Sequence, residues 1–178
     1  NGTTIGNPIG SFYIAASSVG GNLTLTSGAS IADSGTVTVG GNLAATTANN
    51  FAIDLGTLAV DGTVQLTTNG NGAATVVNDA GLTFAASTVG GNLAATATTG
   101  NMTDSGVLTI AGTSSFTTSA NNATIALDTT TNAFTGAVTI TTNDNSGTDA
   151  DVTIDGGTTA LVLAASIIDG DLTVRSGN

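Results

Sequence analysis

Several residue types that carry much of protein chemistry are missing from this chain of 178 residues. It has no Cys, His, Trp, Lys or Glu, a single Pro, and one basic side chain, Arg175. Without His or Cys it lacks the side chains of a Ser-His-Asp triad, a thiol nucleophile or a zinc finger. Without Lys it has no P-loop and no Schiff-base chemistry. We therefore expect that the chain is not an enzyme.

The charge is almost entirely of one sign. All 12 acidic residues are Asp, and the formal net charge is −11. Contacts with phosphate need clustered Lys and Arg, so nucleic acid is excluded as a partner. No apolar run approaches the roughly 20 residues of a membrane-spanning helix. We expect neither nucleic-acid binding nor membrane insertion.

The residues that are present favour strands and turns. Hydrophobic residues make up 40% of the chain, there are 25 Gly, and Thr, Val, Ile, Asn and Asp are abundant. Apart from Ala and Leu, the best helix formers are nearly absent, whereas β-branched residues favour strands. The composition predicts an all-β protein with many tight turns.

A long repeat runs through the sequence. The segment 18–23, Ser-Val-Gly-Gly-Asn-Leu, returns as Thr-Val-Gly-Gly-Asn-Leu at 88–93, and other short motifs return in the same order after 71 to 74 residues. Such a period is typical of a solenoid or another repeat array. We predict an N-terminal lead-in over 1–11 and a repeat array over 12–178. Within the array the long repeats are 12–81, 82–160 and a partial copy at 161–178.

A shorter period lies inside the long one. Apolar pairs at positions i and i+2, typical of strands with one buried face, recur with Gly-rich or Asn-rich segments between them. Each unit reads as strand, turn, strand, loop, strand, turn, and the weakest unit has Asn132 where the others have an apolar residue. The units begin near residues 12, 37, 58, 82, 108, 132 and 161.

One short unit cannot bury its own apolar face, but stacked copies can. We therefore predict a right-handed parallel β-helix, a three-sided solenoid of about seven coils in which like strands of successive units pair. Its interior would be a column of Leu, Val, Ile and Ala, with four large fillers: Phe12, Phe84, Phe116 and Phe134. A β-sandwich is the alternative fold, although it does not predict that every unit repeats the same order of three strands.

Three segments resemble the β-strand repeats of a known class of proteins: 82–93, 108–117 and 133–138. The class is that of large bacterial exoproteins, namely filamentous-haemagglutinin-like adhesins and related two-partner-secretion or autotransporter passengers. The resemblance extends over about 11–175. It implies a right-handed β-helical stalk, export across the outer membrane, a role in adhesion, biofilm or surface fibres, and no catalytic residues in the repeats.

Acidic residues are the candidate ligand-binding groups. Asp33, Asp54, Asp79, Asp104, Asp128 and Asp155 each close a predicted third strand, and the solenoid would stack them as one ladder. Asp before Gly is a common turn signal, so turn chemistry is the simpler interpretation. The alternative is Ca²⁺, a cation that prefers oxygen ligands, with a weak site predicted at Asp144, Asp149, Asp151 and Asp155. No other cofactor is expected.

The Val-Gly-Gly-Asn-Leu motif resembles a phosphate loop only superficially, because its Gly spacing differs and no helix follows. A tight bend is the better interpretation, with Asn22, Asn42 and Asn92 stacked as an amide ladder. Outward Thr residues suggest an ice-binding array. However, the predicted outward column is irregular, which disfavours this function: Thr24, Ala44, Gln65, Ala94, Ser115, Thr139 and Thr173.

Three functions are compatible with the sequence. The first is a structural repeat unit of an extracellular bacterial surface fibre or adhesin stalk, stacking end to end with itself or with further repeats of a longer chain. The second is a β-helix module that binds Ca²⁺ or cell-surface glycans. The third is a polysaccharide-acting enzyme, for which Asp149 and Asp151 are the local carboxylate pair.

Overall fold

The computed structural model describes residues 2–143 and 149–177, which form strands and turns without a helix. Two sheets contain all the strands, one of 12 strands and one of nine. The strands in chain order are β1 Thr3–Asn7, β2 Phe12–Ile14, β3 Ser17–Val19, β4 Leu23–Ser27, β5 Ile31–Asp33, β6 Val37–Val39, β7 Leu43–Asn49, β8 Ile53–Val60, β9 Thr63–Asn69, β10 Ala74–Asn78, β11 Leu82–Phe84, β12 Ser87–Val89, β13 Leu93–Ala97, β14 Met102–Asp104, β15 Leu108–Ile110, β16 Ser114–Asn121, β17 Ile125–Leu127, β18 Ala133–Phe134, β19 Val138–Asn143, β20 Val152–Asp155 and β21 Leu172–Arg175.

The strands stack as a parallel β-helix. Pairing between strands is parallel throughout, and partners come from neighbouring turns of the chain. Paired residues are 19 positions apart at the shortest step, Phe12 to Ile31, and 27 at the longest, Ile125 to Val152. The predicted fold is confirmed, with about eight turns where the sequence suggested seven. Among the described residues, there is no helix with the length and apolar character needed to cross a membrane.

The first turn begins earlier than the sequence indicated. Thr3–Asn7, within the predicted lead-in, pairs residue by residue with Leu23–Ser27. Ile5 packs against the core from this strand. The segment before residue 12 therefore contributes a rung of the solenoid.

The cross-section changes shape midway along the helix. In the first turns one side is long (β1, β4, β7, β9), and the other two are short (β2 and β5; β3 and β6). Strand β8 spans both short sides, because Ile53 pairs with Ile31 and Leu58 pairs with Val37. The long strand β10 then stacks on β8.

The opposite change occurs on the long side. Strand β9 pairs with β11 at Val64 and with β12 at Thr67, so one long side is followed by two short ones. From there β13, β16 and β19 continue the new long side above β10. We call this coil, residues 53–69, the side exchange.

The predicted pairing of like strands was wrong in part because of this change. Phe12–Ile14 pairs with Ile31–Asp33 and not with Val37–Val39. Val37–Val39 does pair with Leu58–Val60, as the unit scheme predicted. Leu82–Phe84 stacks on β9 and on Met102–Asp104. Alternating apolar residues identified the strands, but not the side on which each strand lies.

The interior is one continuous apolar column, built from inward residues of successive rungs. Three of the four predicted Phe fillers are fully buried: Phe84, Phe116 and Phe134. Phe116 and Phe134 meet edge to face with ring centroids 5.8 Å apart, a favourable geometry for aromatic pairs. Phe12 is only half-buried because it lies in the first turn. Tyr13 beside it is exposed.

Buried polar side chains complete the hydrogen bonding at corners where strands end. Asn78 accepts from the Val60 N–H at 2.8 Å and donates to the Val60 and Gly81 carbonyls. The Ser87 hydroxyl accepts from the Leu66 N–H at 3.0 Å, beside the point where β9 changes partners. A buried backbone N–H or C=O without a hydrogen-bond partner destabilises the fold, and these side chains supply that partner.

Asn132 has the same role in the weakest predicted unit. It is 1% exposed, and its Oδ1 accepts from the Leu108 N–H at 2.7 Å. Its Nδ2 donates to Asp104 Oδ2 at 2.6 Å. The polar residue therefore fits its buried position because both ends of its amide are bonded.

The outer surface carries regular Thr columns that the sequence did not reveal. Thr26, Thr46, Thr67, Thr88 and Thr109 pair in register on five consecutive rungs. In a second column, the Thr83 and Thr103 hydroxyls are 3.0 Å apart. The expected irregular column was wrong in part. Thr24, Ala44 and Gln65 do stack, as do Ala94, Ser115 and Thr139, but Ala94 stacks on Thr75 and not on Gln65. Cross-strand Thr pairs of this kind stabilise a sheet.

Candidate functional site: turn ladders and the two ends

The turns of successive rungs are joined by a repeated bond from a side chain to the backbone. Asn22 Oδ1 accepts from the Asn42 N–H, and Asn42 Oδ1 accepts from the Thr63 N–H, both at 2.9 Å. The same contact recurs at four further turns, with Asn50, Asn92, Asn101 and Asp151 as the acceptors. The predicted amide ladder is therefore wrong in detail, because each Asn bonds to backbone and Asn92 lies on another side of the solenoid.

This contact explains the Gly that precedes most of the residues donating the N–H. A Cβ at Gly41 would overlap Asn22 Oδ1, and a Cβ at Gly112 would overlap Asn92 Oδ1. In the degraded copy of the motif, Gly170 lies against Asp151 Oδ1 in the same way. Glycine is needed there so that the backbone can approach the side chain below.

The six turn Asp residues do not form one ladder, contrary to the prediction. Asp54 pairs with Ala32 and Thr75, so it is not stacked on Asp33. Asp33 instead accepts from the Gly56 and Thr57 N–H groups of the side exchange, at 3.1 and 2.8 Å. The prediction fails because the strands change sides between these rungs.

A shorter acidic column remains near the C-terminal end. Asp104 Oδ1 accepts from the Asp128 N–H at 3.2 Å, and Asp155 follows on the next rung because Leu127 pairs with Ile154. On the following rung, Arg175 is the partner of Asp155 in the strand register. Turn chemistry accounts for Asp104, whose two carboxylate oxygens both accept hydrogen bonds.

The predicted Ca²⁺ ligands have different environments. Asp149 is exposed, Asp151 Oδ1 accepts from the Asp171 N–H at 2.8 Å, and Asp144 lies outside the described residues. Asp155 is 1% exposed; its Oδ1 accepts from the Gly157 N–H, and its Oδ2 is buried without a partner. Within 2–143 and 149–177, no three acidic side chains are arranged to hold a metal ion. Calcium binding stays a prediction.

A shallow groove lies beside the side exchange. It has a volume of about 240 Å³ and is lined by Thr36, Gly56, Thr57, Leu58, Val77, Asp79 and Thr98. The lining combines three Thr residues and Asp79 with the apolar Leu58 and Val77. Its residues come from four successive rungs, so no local sequence pattern predicts the groove.

Both ends of the described solenoid expose strand edges and apolar residues. Strands β1, β2 and β3 each have one neighbour, as does β21. At the C-terminal end Leu163, Leu172 and Val174 are 38%, 43% and 41% exposed, directly above buried residues of the preceding rung. At the N-terminal end Ile5, Phe12 and Val19 pack against the core and are half-buried.

Comparison with known proteins identifies the repeats. A family model described as repeats of unknown function (DUF5649) matches residues 3–56 and 71–141, well over half of the chain. The chain belongs to this family. All three copies of the Val-Gly-Gly-Asn-Leu motif, at 19–23, 39–43 and 89–93, lie within the matched DUF5649 segments, so the internal repeat and the family match coincide. No curated protein and no solved structure matches the chain.

Proposed function

We propose that this DUF5649 chain is a structural repeat module of an extracellular bacterial surface fibre or adhesin stalk. The observation that carries the proposal is the single apolar column shared by all rungs, with parallel pairing from Thr3 to Arg175. Such a solenoid is stiff along its axis because every rung is bonded to its neighbours, and its length increases with the number of rungs. The resemblance to bacterial exoprotein repeats supports the location.

The location can be tested on the producing cells. Antibodies against the folded chain should label intact bacteria in immunogold electron microscopy, and external protease should abolish the label. A cytoplasmic marker protein, unlabelled unless the cells are opened, is the control. Label that appears only after permeabilisation would contradict the surface role.

The proposed role requires no catalysis. The carboxylate pair considered for glycan cleavage is Asp149 and Asp151, and one Asp151 oxygen is engaged by the Asp171 backbone. Release of sugars from a panel of polysaccharides by the purified chain, lost in Asp151→Asn, would establish an enzyme instead.

Ligand binding along the solenoid is a second proposed function, favoured by the groove at the side exchange. Threonine hydroxyls and the Asp79 carboxylate are hydrogen-bonding groups that suit a neutral sugar. Glycan-array binding that is lost in Asp79→Ala and retained in Thr109→Ala, on another face, would support it. Calorimetric titration with Ca²⁺ would test the cation separately.

A further inference from the structure

Gly56, in the middle of β8, is not required by the backbone geometry. Its φ lies outside the left-handed region, and a Cβ placed on it would meet no atom within 4 Å. The motif glycines differ, because a Cβ at Gly41 or Gly112 would overlap the rung below. Glycine weakens the interior of a strand and often marks a place where a ligand approaches the backbone closely. Gly56 lines the groove beside the side exchange, so its missing side chain leaves the groove open.

The groove lies at a step in the surface of the solenoid. The number of positions between two matched inward points falls by one on each rung: it is six from Ile31 to Val37, five from Ile53 to Leu58, and four from Ala74 to Asn78. The corner of the lower rung, at 34–36, is therefore lost over two rungs. The groove residues Thr36, Gly56 and Val77 come from these three rungs, so the step itself forms the depression.

Most hydrogen-bonding groups of the groove can only accept. Thr57 Oγ1 donates to Asp33 Oδ2 at 3.0 Å, and Thr98 Oγ1 donates to the Asn78 carbonyl at 2.9 Å. Each of these hydroxyls therefore has only lone pairs left for a ligand. Asp79 is exposed, and an ionised carboxylate is also an acceptor without a proton to give. A ligand that fits this surface must supply several hydrogen-bond donors.

Charge disfavours anionic ligands at this groove. Asp79 lines it, and the Asp33 carboxylate lies next to Gly56 and Thr57, whose N–H groups it binds. The one basic side chain of the sequence, Arg175, belongs to β21 on the last described rung. Like charges repel at short distances, so phosphate, sulfate and uronic-acid groups are unsuitable ligands.

An uncharged sugar chain meets the remaining conditions. An added peptide strand needs free backbone groups at a sheet edge, whereas the groove is on the outer face, where the backbone pairs with neighbouring rungs. Sugar hydroxyls donate hydrogen bonds, and sugar C–H groups can pack on Leu58 and Val77. The lining extends along the axis from Thr36 to Thr98, which is three rung spacings of about 4.8 Å, or about 14 Å. A linear ligand can therefore lie along the solenoid.

We propose that the groove binds a linear, uncharged glycan whose chain lies along the solenoid axis. The sugar hydroxyls donate to the Asp79 carboxylate and to the Thr57 and Thr98 hydroxyls, and Gly56 provides the space for a sugar ring. Anionic glycans are excluded by the same carboxylates. The proposal rests on the ligand-binding function given above, and it specifies the class of ligand and the residue that determines access.

The test titrates the purified chain with three neutral oligosaccharides, cellohexaose, mannohexaose and chitohexaose, and with anionic oligogalacturonate. Calorimetry should detect binding of at least one neutral oligosaccharide and no binding of oligogalacturonate. In nitrogen–proton correlation spectra, the bound sugar should shift the amide signals of Gly56 and Thr57. The signal of Thr109, on another face, should be unchanged.

Filling the groove provides the decisive variant. Gly56→Leu places a side chain in open space, so it should retain the wild-type circular dichroism and unfolding midpoint but lose binding. Gly20→Leu is the matched control, because a Cβ there also meets no atom within 4 Å, and it should bind like the wild type. Asp79→Asn should lower the affinity roughly tenfold, since hydrogen bonds to a charged group are among the stronger ones.

The possible results separate the groove from the ligand class. Binding that Gly56→Leu retains would place the sugar elsewhere and overturn the groove assignment, while ligand binding itself would stand. Failure of all three neutral oligosaccharides to bind, or a preference for oligogalacturonate, would overturn the ligand class. If Gly56→Leu does not fold, the spectral shifts and Asp79→Asn decide the location. None of these results bears on the surface location, which the immunogold experiment decides.

Discussion

Single polar side chains in this solenoid accept hydrogen bonds from backbone N–H groups that have no backbone partner. Where a strand ends and the next begins, Asn78, Ser87 and Asn132 bond to N–H groups that would otherwise be buried without a partner. Between turns, Asn22 and Asn42 link each rung to the next. These polar residues therefore contribute to the stack together with the Leu and Val of the core.

Replacing Asn132 by the apolar residue that the repeat pattern predicts should destabilise the protein. In Asn132→Leu the Leu108 N–H and one Asp104 oxygen lose their partner. A buried polar group left unsatisfied costs about 1–3 kcal/mol. Urea unfolding followed by circular dichroism would measure the loss, with Thr109→Val as the exposed control. An unchanged midpoint for Asn132→Leu would show that water or rearrangement satisfies these groups.

The motif glycines should differ sharply in their tolerance of Ala. Gly41→Ala forces a Cβ against Asn22, and overpacking of this kind costs about 1–3 kcal/mol. Gly20→Ala, in the preceding copy of the motif, meets open space and should be neutral or slightly stabilising. Thermal unfolding of both variants and of Asn22→Ala/Gly41→Ala tests the contact. The double variant should recover part of the loss, and equal effects at both glycines would contradict the assignment.

At the scale of elements, the coil at 53–69 determines the architecture. Strand β8 joins two short sides into one, and β9 is followed by two short strands. The turns before and after it are regular stacks of like strands. The two parts of the β-helix should therefore tolerate changes in length, whereas the side exchange should not.

Deletion of whole coils tests this difference. Removing residues 23–42 joins Asn22 to Leu43 and keeps the Gly-Gly-Asn-Leu motif, because Leu23 and Leu43 occupy equivalent paired positions. This variant should fold with a reduced unfolding midpoint, as expected when one nearest-neighbour contact is lost. Removing 53–73 deletes β8 and β9. Strand β10 would then lie on the two short strands β5 and β6 without the coil that joins the two arrangements. We therefore expect this variant to lose cooperative unfolding. Equal stability of the two variants would show that the exchange is dispensable.

The sequence predicts the class of fold but not the arrangement of its sides. Alternation of apolar residues, glycine-rich turns and the absence of most helix formers suffice for a parallel β-helix. Apolar residues alternate with a period of two both in a short strand and in half of a long strand. The sequence pattern therefore does not show that two short sides join into one long strand in β8. Likewise Asn132 was recognised as anomalous, but its partners are 24 and 28 residues away and are known only from the structure. The groove and the end faces depend on these long-range relations.

At the scale of the whole molecule, a net charge of −11 is combined with apolar ends. Leu163, Leu172 and Val174 are exposed in the last described turn. Asp169 and Asp171 are exposed in the same turn, so this end combines apolar residues with negative charge.

The side exchange also governs how the rod looks from outside. Residues 18–23 and 88–93 have almost the same sequence, yet Leu23 belongs to the column of β1 and β7 while Leu93 belongs to that of β10 and β16. The shared Val-Gly-Gly-Asn-Leu segment therefore faces different directions around the axis. An antibody that recognises it would approach the solenoid from more than one azimuth, so a solenoid lying flat on a surface would still display a copy to its surroundings.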